Sequence, residues 1–194
     1  MNFKDIKQIY DAHIIPSYAR QEVCFVRGEG VRLWDTEGNE YLDFGSGFGV
    51  NSVGHAHPEW VSAVNRQAAM LAHTSNLYYT GPAGFLAERL CQISGLRQVF
   101  FANSGAEANE GLIKLARKYS ADKYNDPKRH KIVTLRQSFH GRTHTTLAAT
   151  GQDAFHAHFQ PLTEGFLHIP AEDIGALQAL GGDICAVLVE PVQG

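Results

Sequence analysis

Short apolar runs separated by polar and glycine-rich breaks mark the chain, and their period changes along it. Val31 to Trp34 and Glu40 to Phe44 are strand-like, and Asp35-Thr36-Glu37-Gly38-Asn39 between them supplies the turn residues of a hairpin. Gly45-Ser46-Gly47-Phe48-Gly49 follows as a flexible passage, and Pro58 suits the first turn of a helix running to about Met70. From Pro82 the pattern alternates. Pro82 to Ser94 reads as a helix, Arg97 to Ala102 as a strand, and Ser104 to Ser120 as a helix in which Ala108, Leu112, Leu115 and Tyr119 recur at helical spacing. Lys131 to Leu135 is a strand, Arg142 to Ala149 a short helix, Phe166 to Ile169 a strand, Ala171 to Leu180 a helix and Ile184 to Glu190 a strand. Strands alternating with helices predict an α/β fold, a mainly parallel sheet flanked by helices, beside a small N-terminal antiparallel segment. The continuous apolar run Ile184 to Val189 predicts a central strand, and the polar stretch Asp122 to Lys131 an exposed loop.

Composition narrows the class. The chain has 194 residues, 44% of them hydrophobic, with 17 Lys and Arg against 20 Asp and Glu for a net charge of −3. That balance argues against a nucleic-acid partner. No run approaches the length of a membrane span, and Met1 to Tyr10 lacks the apolar core of a secretory signal, so a cytoplasmic location is expected. Cys24, Cys91 and Cys185 are far apart, without a Cys-x-x-Cys spacing, and are expected to be buried thiols rather than disulfides or zinc ligands.

Two strand-to-helix junctions carry candidate chemistry. At Ala102-Asn103-Ser104-Gly105-Ala106-Glu107 a small turn opens a helix, and its first N–H groups together with the helix dipole suit a phosphate. Ser104-x-x-Glu107 also matches a capping box, which needs no ligand. At Ser138-Phe139-His140-Gly141-Arg142-Thr143, Phe139 offers a face for an aromatic ligand and Arg142 a planar fork for a carboxylate, although a core Phe and a surface Arg account for the same residues. Both junctions, with Glu190, fall at the carboxyl ends of predicted parallel strands, where ligand crevices form.

Other signatures are weak. The histidine pairs His55-x-His57, His140-x-x-x-His144 and His156-x-His158 have ligand-like spacing, but Gly141 stands where a zinc-protease helix needs Glu, so no metal is expected. Gly28-x-Gly30 lacks the third glycine of a dinucleotide fingerprint, with Leu33 in its place.

Asn103-Ser104-Gly105-Ala106-Glu107-Ala108-Asn109-Glu110, Phe139-His140-Gly141-Arg142-Thr143 and Val189-Glu190-Pro191-Val192-Gln193-Gly194 resemble, in order, three motifs of the class III aminotransferases. Gly54-His55-x-His57-Pro58 and His73 to Thr80 are most similar to the acetylornithine branch of that class, with the ornithine and succinylornithine branches close behind. The resemblance implies the N-terminal part of a fold type I transferase with pyridoxal 5′-phosphate as cofactor. It further implies a homodimer, an amino-acid donor and a 2-oxo acid acceptor. In that reading residues 1–55 contribute to a small domain and residues 56–194 form the first part of the large cofactor-binding domain. Ser104, Gly105 and Ala106 would bind the phosphate, Phe139 would stack on the pyridine ring, Arg142 would hold the substrate carboxylate, and Glu190 would belong to the architecture of the site. Many relatives have Thr where Ala106 stands.

One element of the family pattern is missing. The chemistry needs a lysine for the Schiff base with the cofactor, yet no lysine follows Lys131 and the earlier ones do not match the family's lysine motif. The chain by itself is therefore expected to be inactive. The implied reaction is transfer of the amino group of N-acetylornithine to 2-oxoglutarate. An ornithine, succinylornithine or 4-aminobutyrate aminotransferase is the related alternative, and a non-catalytic α/β module binding a phosphorylated ligand is the alternative from another class.

Overall fold

In the computed structural model, which describes residues 1–193, the chain divides into two compact units, Met1–Gly81 and Pro82–Gly194. The first begins with α1 (Phe3–His13), where Asn2 and Asp5 form a reciprocal capping box. Its sheet has three antiparallel strands in the order β1 (Phe25–Glu29), β2 (Arg32–Asp35) and β3 (Glu40–Leu42). The expected hairpin is thus the second half of a meander. Its missed strand, β1, reads poorly in sequence because Arg27, Gly28 and Glu29 interrupt any apolar alternation. Gly30, at φ +55°, makes the tight turn into β2, and the guanidinium of Arg27 lies 3.6 Å from the centre of the Trp34 ring. Asp35 holds the β2–β3 turn by accepting from the N–H groups of Glu37 and Asn39, the Asn39 amide and the Tyr41 hydroxyl. Gly28 leaves room for the His55 ring, which meets Asp43 at 2.7 Å, so this glycine serves packing rather than a dinucleotide. The unit continues through α2 (Pro58–Met70), with Pro58 in its first turn as expected.

The second unit is an α/β layer. A three-stranded parallel sheet runs in the order β5 (Phe166–Ile169), β4 (Lys131–Leu135), β6 (Ile184–Leu188). Its central strand is β4, whose β-branched Ile132, Val133 and Thr134 are buried on both faces. The run Ile184 to Val189, expected at the centre, instead pairs on one side only among the described residues. The helices are α3 (Gly81–Ser94), α4 (Gly105–Tyr124), α5 (His144–Ala149), α6 (Asp153–His156) and α7 (Ile174–Gln178). Ile113 of α4 and Ala149 of α5 close the core over Ile132, with Phe166, Cys185, Ala186 and Leu188 packed around them.

Several expectations need correction. Arg97 to Ala102 is not a strand: the Phe100 ring packs at Gly111 of α4, where even a Cβ would fall 2.7 Å from it, and neither β5 nor β6 takes the segment as a partner. Helix α4 runs four residues past Ser120 to Tyr124, ending in a left-handed Asn125, which shortens the expected loop. Helix α5 starts at His144 rather than Arg142, because Thr143 caps it. Strand β3 stops at Leu42 and β6 at Leu188, which leaves Glu190 in the loop beyond the sheet. The three cysteines are free as expected, but half-buried rather than buried.

Candidate functional site

The first two turns of α4 and the loop after β4 meet at the carboxyl end of the sheet. Helix α4 starts where it does because Ser104, in extended conformation, turns its Oγ to accept the N–H of Glu107 at 3.2 Å. The expected capping box does not close. The Glu107 carboxylate goes instead to the backbone N–H and side-chain amide of Asn103, at 2.7 and 2.9 Å. The N–H groups of Gly105 and Ala106 have no intrahelical acceptor, as the first groups of any helix must not. A Cβ built on Gly105 meets nothing within 4 Å, so the helix start is uncrowded at this position.

The second junction is drawn onto the first by a glycine. Gly141 has φ +131°, and a Cβ there would lie 2.8 Å from the Cβ of Ala106 and 2.5 Å from Thr146 Oγ1. The bare backbone lets the loop press directly against the α4 terminus. Two further ties come from the next turn of α4: Asn109 donates its amide to the carbonyl of His140 at 2.8 Å, and Thr143 donates its hydroxyl to Glu110 at 2.5 Å. Thr143 and Thr146 then cap α5 reciprocally. These α4 residues were not singled out by sequence reasoning, although their position one turn beyond Ala106 on the same face was the available signal.

Phe139 is 45% exposed, neither core nor fully free, and meets Phe155 edge to face with centroids 6.0 Å apart. Arg142 is exposed, its guanidinium 5.8 Å from the Phe139 ring centre and 5.7 Å from that of Phe155. Glu190 joins from beyond β6, its carboxylate accepting the backbone N–H of Phe139 at 3.2 Å. His140 is buried, with its backbone N–H on Thr150 Oγ1 at 2.9 Å and its Nε2 without a hydrogen-bond partner. Burial pushes the His140 pKa below the ordinary histidine value, and the nearby Glu190 charge opposes that shift only in part. Ser104, Gly105, Ala106, Phe139, Arg142 and Glu190 are therefore brought to one end of one sheet. Gly194, the last residue of the third motif, lies outside the described residues.

The N–H groups of a helix start, a half-exposed aromatic ring and a guanidinium beside it make up the set that a phosphorylated pyridine and a carboxylate would need. The family model "Aminotransferase class-III" matches residues 15–194. The chain belongs to the class III aminotransferases. It is 54% identical to the acetylornithine aminotransferase of Haemophilus ducreyi, over all of this chain and 50% of that protein. Among solved structures it resembles the ornithine aminotransferase of Toxoplasma gondii in a form with partial occupancy of PLP at the active site, with 31% identity, TM-score 0.92, and coverage of 100% of this chain and 46% of that one. It likewise resembles the acetylornithine aminotransferase of Elizabethkingia anophelis, at 33% identity and TM-score 0.81, covering all of this chain and 45% of that one. The chain spans about half the length of the curated relatives it matches. Pyridoxal 5′-phosphate is the cofactor of this class, and its members move an amino group between a donor and a 2-oxo acid. No helix among the described residues is long and apolar enough to cross a membrane.

Proposed function

We propose that this chain supplies the phosphate, ring and carboxylate contacts of a cytoplasmic, homodimeric aminotransferase acting on N-acetylornithine and 2-oxoglutarate. The observation that carries the reading is the contact of Gly141 with Ala106, which sets an anion-binding helix start beside an aromatic ring and a guanidinium. The N–H groups of Gly105 and Ala106 bind the phosphate where the α4 dipole favours negative charge. Ser104 Oγ already accepts from Glu107, which leaves its own proton to donate to the same anion. Phe139 covers one face of the pyridine ring and excludes water from it, and Glu190 fixes that shelf through the Phe139 N–H. Arg142 orients the substrate by its α-carboxylate. Pyridoxal 5′-phosphate, when bound, supplies an electron sink for the carbon that loses or gains the amino group. Residues 56–194 form the first part of the domain that holds it, and residues 1–55 contribute to a smaller one.

The lysines of the second unit stand away from this site. Lys114 is about 14 Å along α4 from Gly105 at 1.5 Å per residue. Lys118 pairs with Asp122, and Lys131 with Asp183 at the opposite end of β4. Residues 1–194 alone should accordingly give no turnover. The test is glutamate formation from 2-oxoglutarate with acetylated or free ornithine as donor. Turnover by residues 1–194 alone overturns the lysine argument. In the holoenzyme that carries this chain, preference for free ornithine or 4-aminobutyrate overturns the substrate assignment.

A further inference from the structure

We propose that Asn109 and Glu110, on the second turn of α4, are positioning residues that set the carboxylate specificity of Arg142 by clamping its loop from both sides. The inference rests on the assignment of Arg142 to the substrate carboxylate and goes beyond it, to what holds the guanidinium in place.

Three contacts from one face of one helix define the clamp. Ala106 abuts Gly141, with a Cβ-to-Cβ distance of 2.8 Å if Gly141 had a side chain. One turn on, Asn109 reaches the His140 carbonyl at 2.8 Å and Glu110 receives the Thr143 hydroxyl at 2.5 Å. The spacings of three and four residues place all three on the same helical stripe. The His140 backbone is also held from behind, its N–H on Thr150 Oγ1 at 2.9 Å. Arg142 is exposed between these anchors, so the backbone on either side is fixed while its guanidinium lies near the Phe139 and Phe155 rings.

The chemistry requires such a clamp. A guanidinium binds a carboxylate bidentately only when its plane is presented in one orientation. Arg142 leaves the backbone just before α5, whose N-cap, Thr143, is the residue Glu110 holds. Loss of that hydrogen bond unties the start of α5, and with it the base of the arginine, from α4, while the reciprocal cap of Thr143 and Thr146 stays in place. Glu110 acts here as an acceptor, so Gln in its place keeps the acceptor oxygen and Ala does not.

The test is steady-state kinetics of the holoenzyme with N-acetylornithine, with 2-oxoglutarate and with N-acetyl-1,4-diaminobutane, a donor of the same reach without the α-carboxylate. Glu110→Ala should raise KM for both carboxylate substrates about tenfold, the loss expected for one charge-assisted hydrogen bond, with kcat within about twofold. Glu110→Gln should stay close to the parent enzyme, and kcat/KM for the diamine should not change in either variant. Amide hydrogen exchange at Gly141 to Thr143 should speed up in Glu110→Ala and not in Glu110→Gln. Should Glu110→Ala fail to fold, Glu110→Leu, which fills a similar volume without an acceptor, reads the same bond and leaves the Thr143 cap of α5 intact. Unchanged KM in Glu110→Ala, an equal loss on the diamine, or a Gln variant as impaired as Ala overturns the proposal. Unchanged KM in Arg142→Lys overturns the underlying carboxylate assignment instead, which keeps the two failures apart.

Discussion

Replacing Gly141 by Ala tests the junction on which the whole site depends. At φ +131° an L-residue is strained, and such strain costs about 1–3 kcal/mol. The added methyl would also sit 2.5 Å from Thr146 Oγ1 and 2.8 Å from the Ala106 Cβ. Neither neighbour is the free end of a flexible side chain: Thr146 is fully buried and capped to Thr143, and Ala106 is fixed in the helix. Overpacking of this kind typically costs about 1–3 kcal/mol more. The expected loss is therefore about 2–6 kcal/mol, a large fraction of the 5–15 kcal/mol that holds an ordinary domain together.

Urea unfolding monitored by far-ultraviolet circular dichroism measures it, as a lower midpoint with an unchanged slope. A second arm separates strain from clash. In the Gly141→Ala background, Ala106→Gly removes one of the two close contacts, so the double variant should show a favourable coupling of at least about 0.5 kcal/mol. A loss below about 1 kcal/mol for Gly141→Ala, or no coupling, would show that α4 and the loop are not pressed together as described.

Gly105→Ala is the opposite case, because nothing lies within 4 Å of its Cβ and its φ is not positive: stability should stay within about 0.5 kcal/mol while affinity for pyridoxal 5′-phosphate falls, as read by thermal melting and by cofactor titration. An unchanged cofactor affinity would remove Gly105 from the phosphate site. Burial lowers the pKa of His140 and, together with the charge of His156, that of His168. The unfolded chain then takes up protons first as pH falls, so the melting temperature should drop below about pH 6.5, the ordinary histidine value. His168→Gln should flatten that drop; a melting temperature level from pH 7 to 5 would contradict the sign.

The sequence pattern was most legible where one element buries its own residues. Strand β4 and helix α2 lie where periodicity and Pro58 place them, because Ile132-Val133-Thr134 needs two covered faces and proline needs a helix start. It was least legible where the partner lies elsewhere in the chain. Phe100 and Phe101 look like a strand from residue type alone, yet Phe100 is used against Gly111 of α4. The centrality of β4 over β6 depends on which strands come to flank them, which no local run encodes. At the site, the motif residues were visible as types able to bind an anion, a ring and a carboxylate. The Asn109 and Glu110 contacts were not, since both side chains also suit an ordinary solvated helix face.

Capping by Ser104 is compatible with, rather than a rival to, the anion binding proposed for the same helix start. A helix leaves four N–H groups without intrahelical acceptors, and here Ser104 takes the N–H of Glu107. Glu107 in turn accepts from Asn103, which stiffens the turn that precedes the cap. A reciprocal capping box would have directed Glu107 to the Ser104 N–H. With Glu107 on Asn103, the Ser104 cap is kept and the N–H groups of Gly105 and Ala106 stay without an intrahelical acceptor. The departure from the capping box is thus compatible with the phosphate role proposed for this helix start.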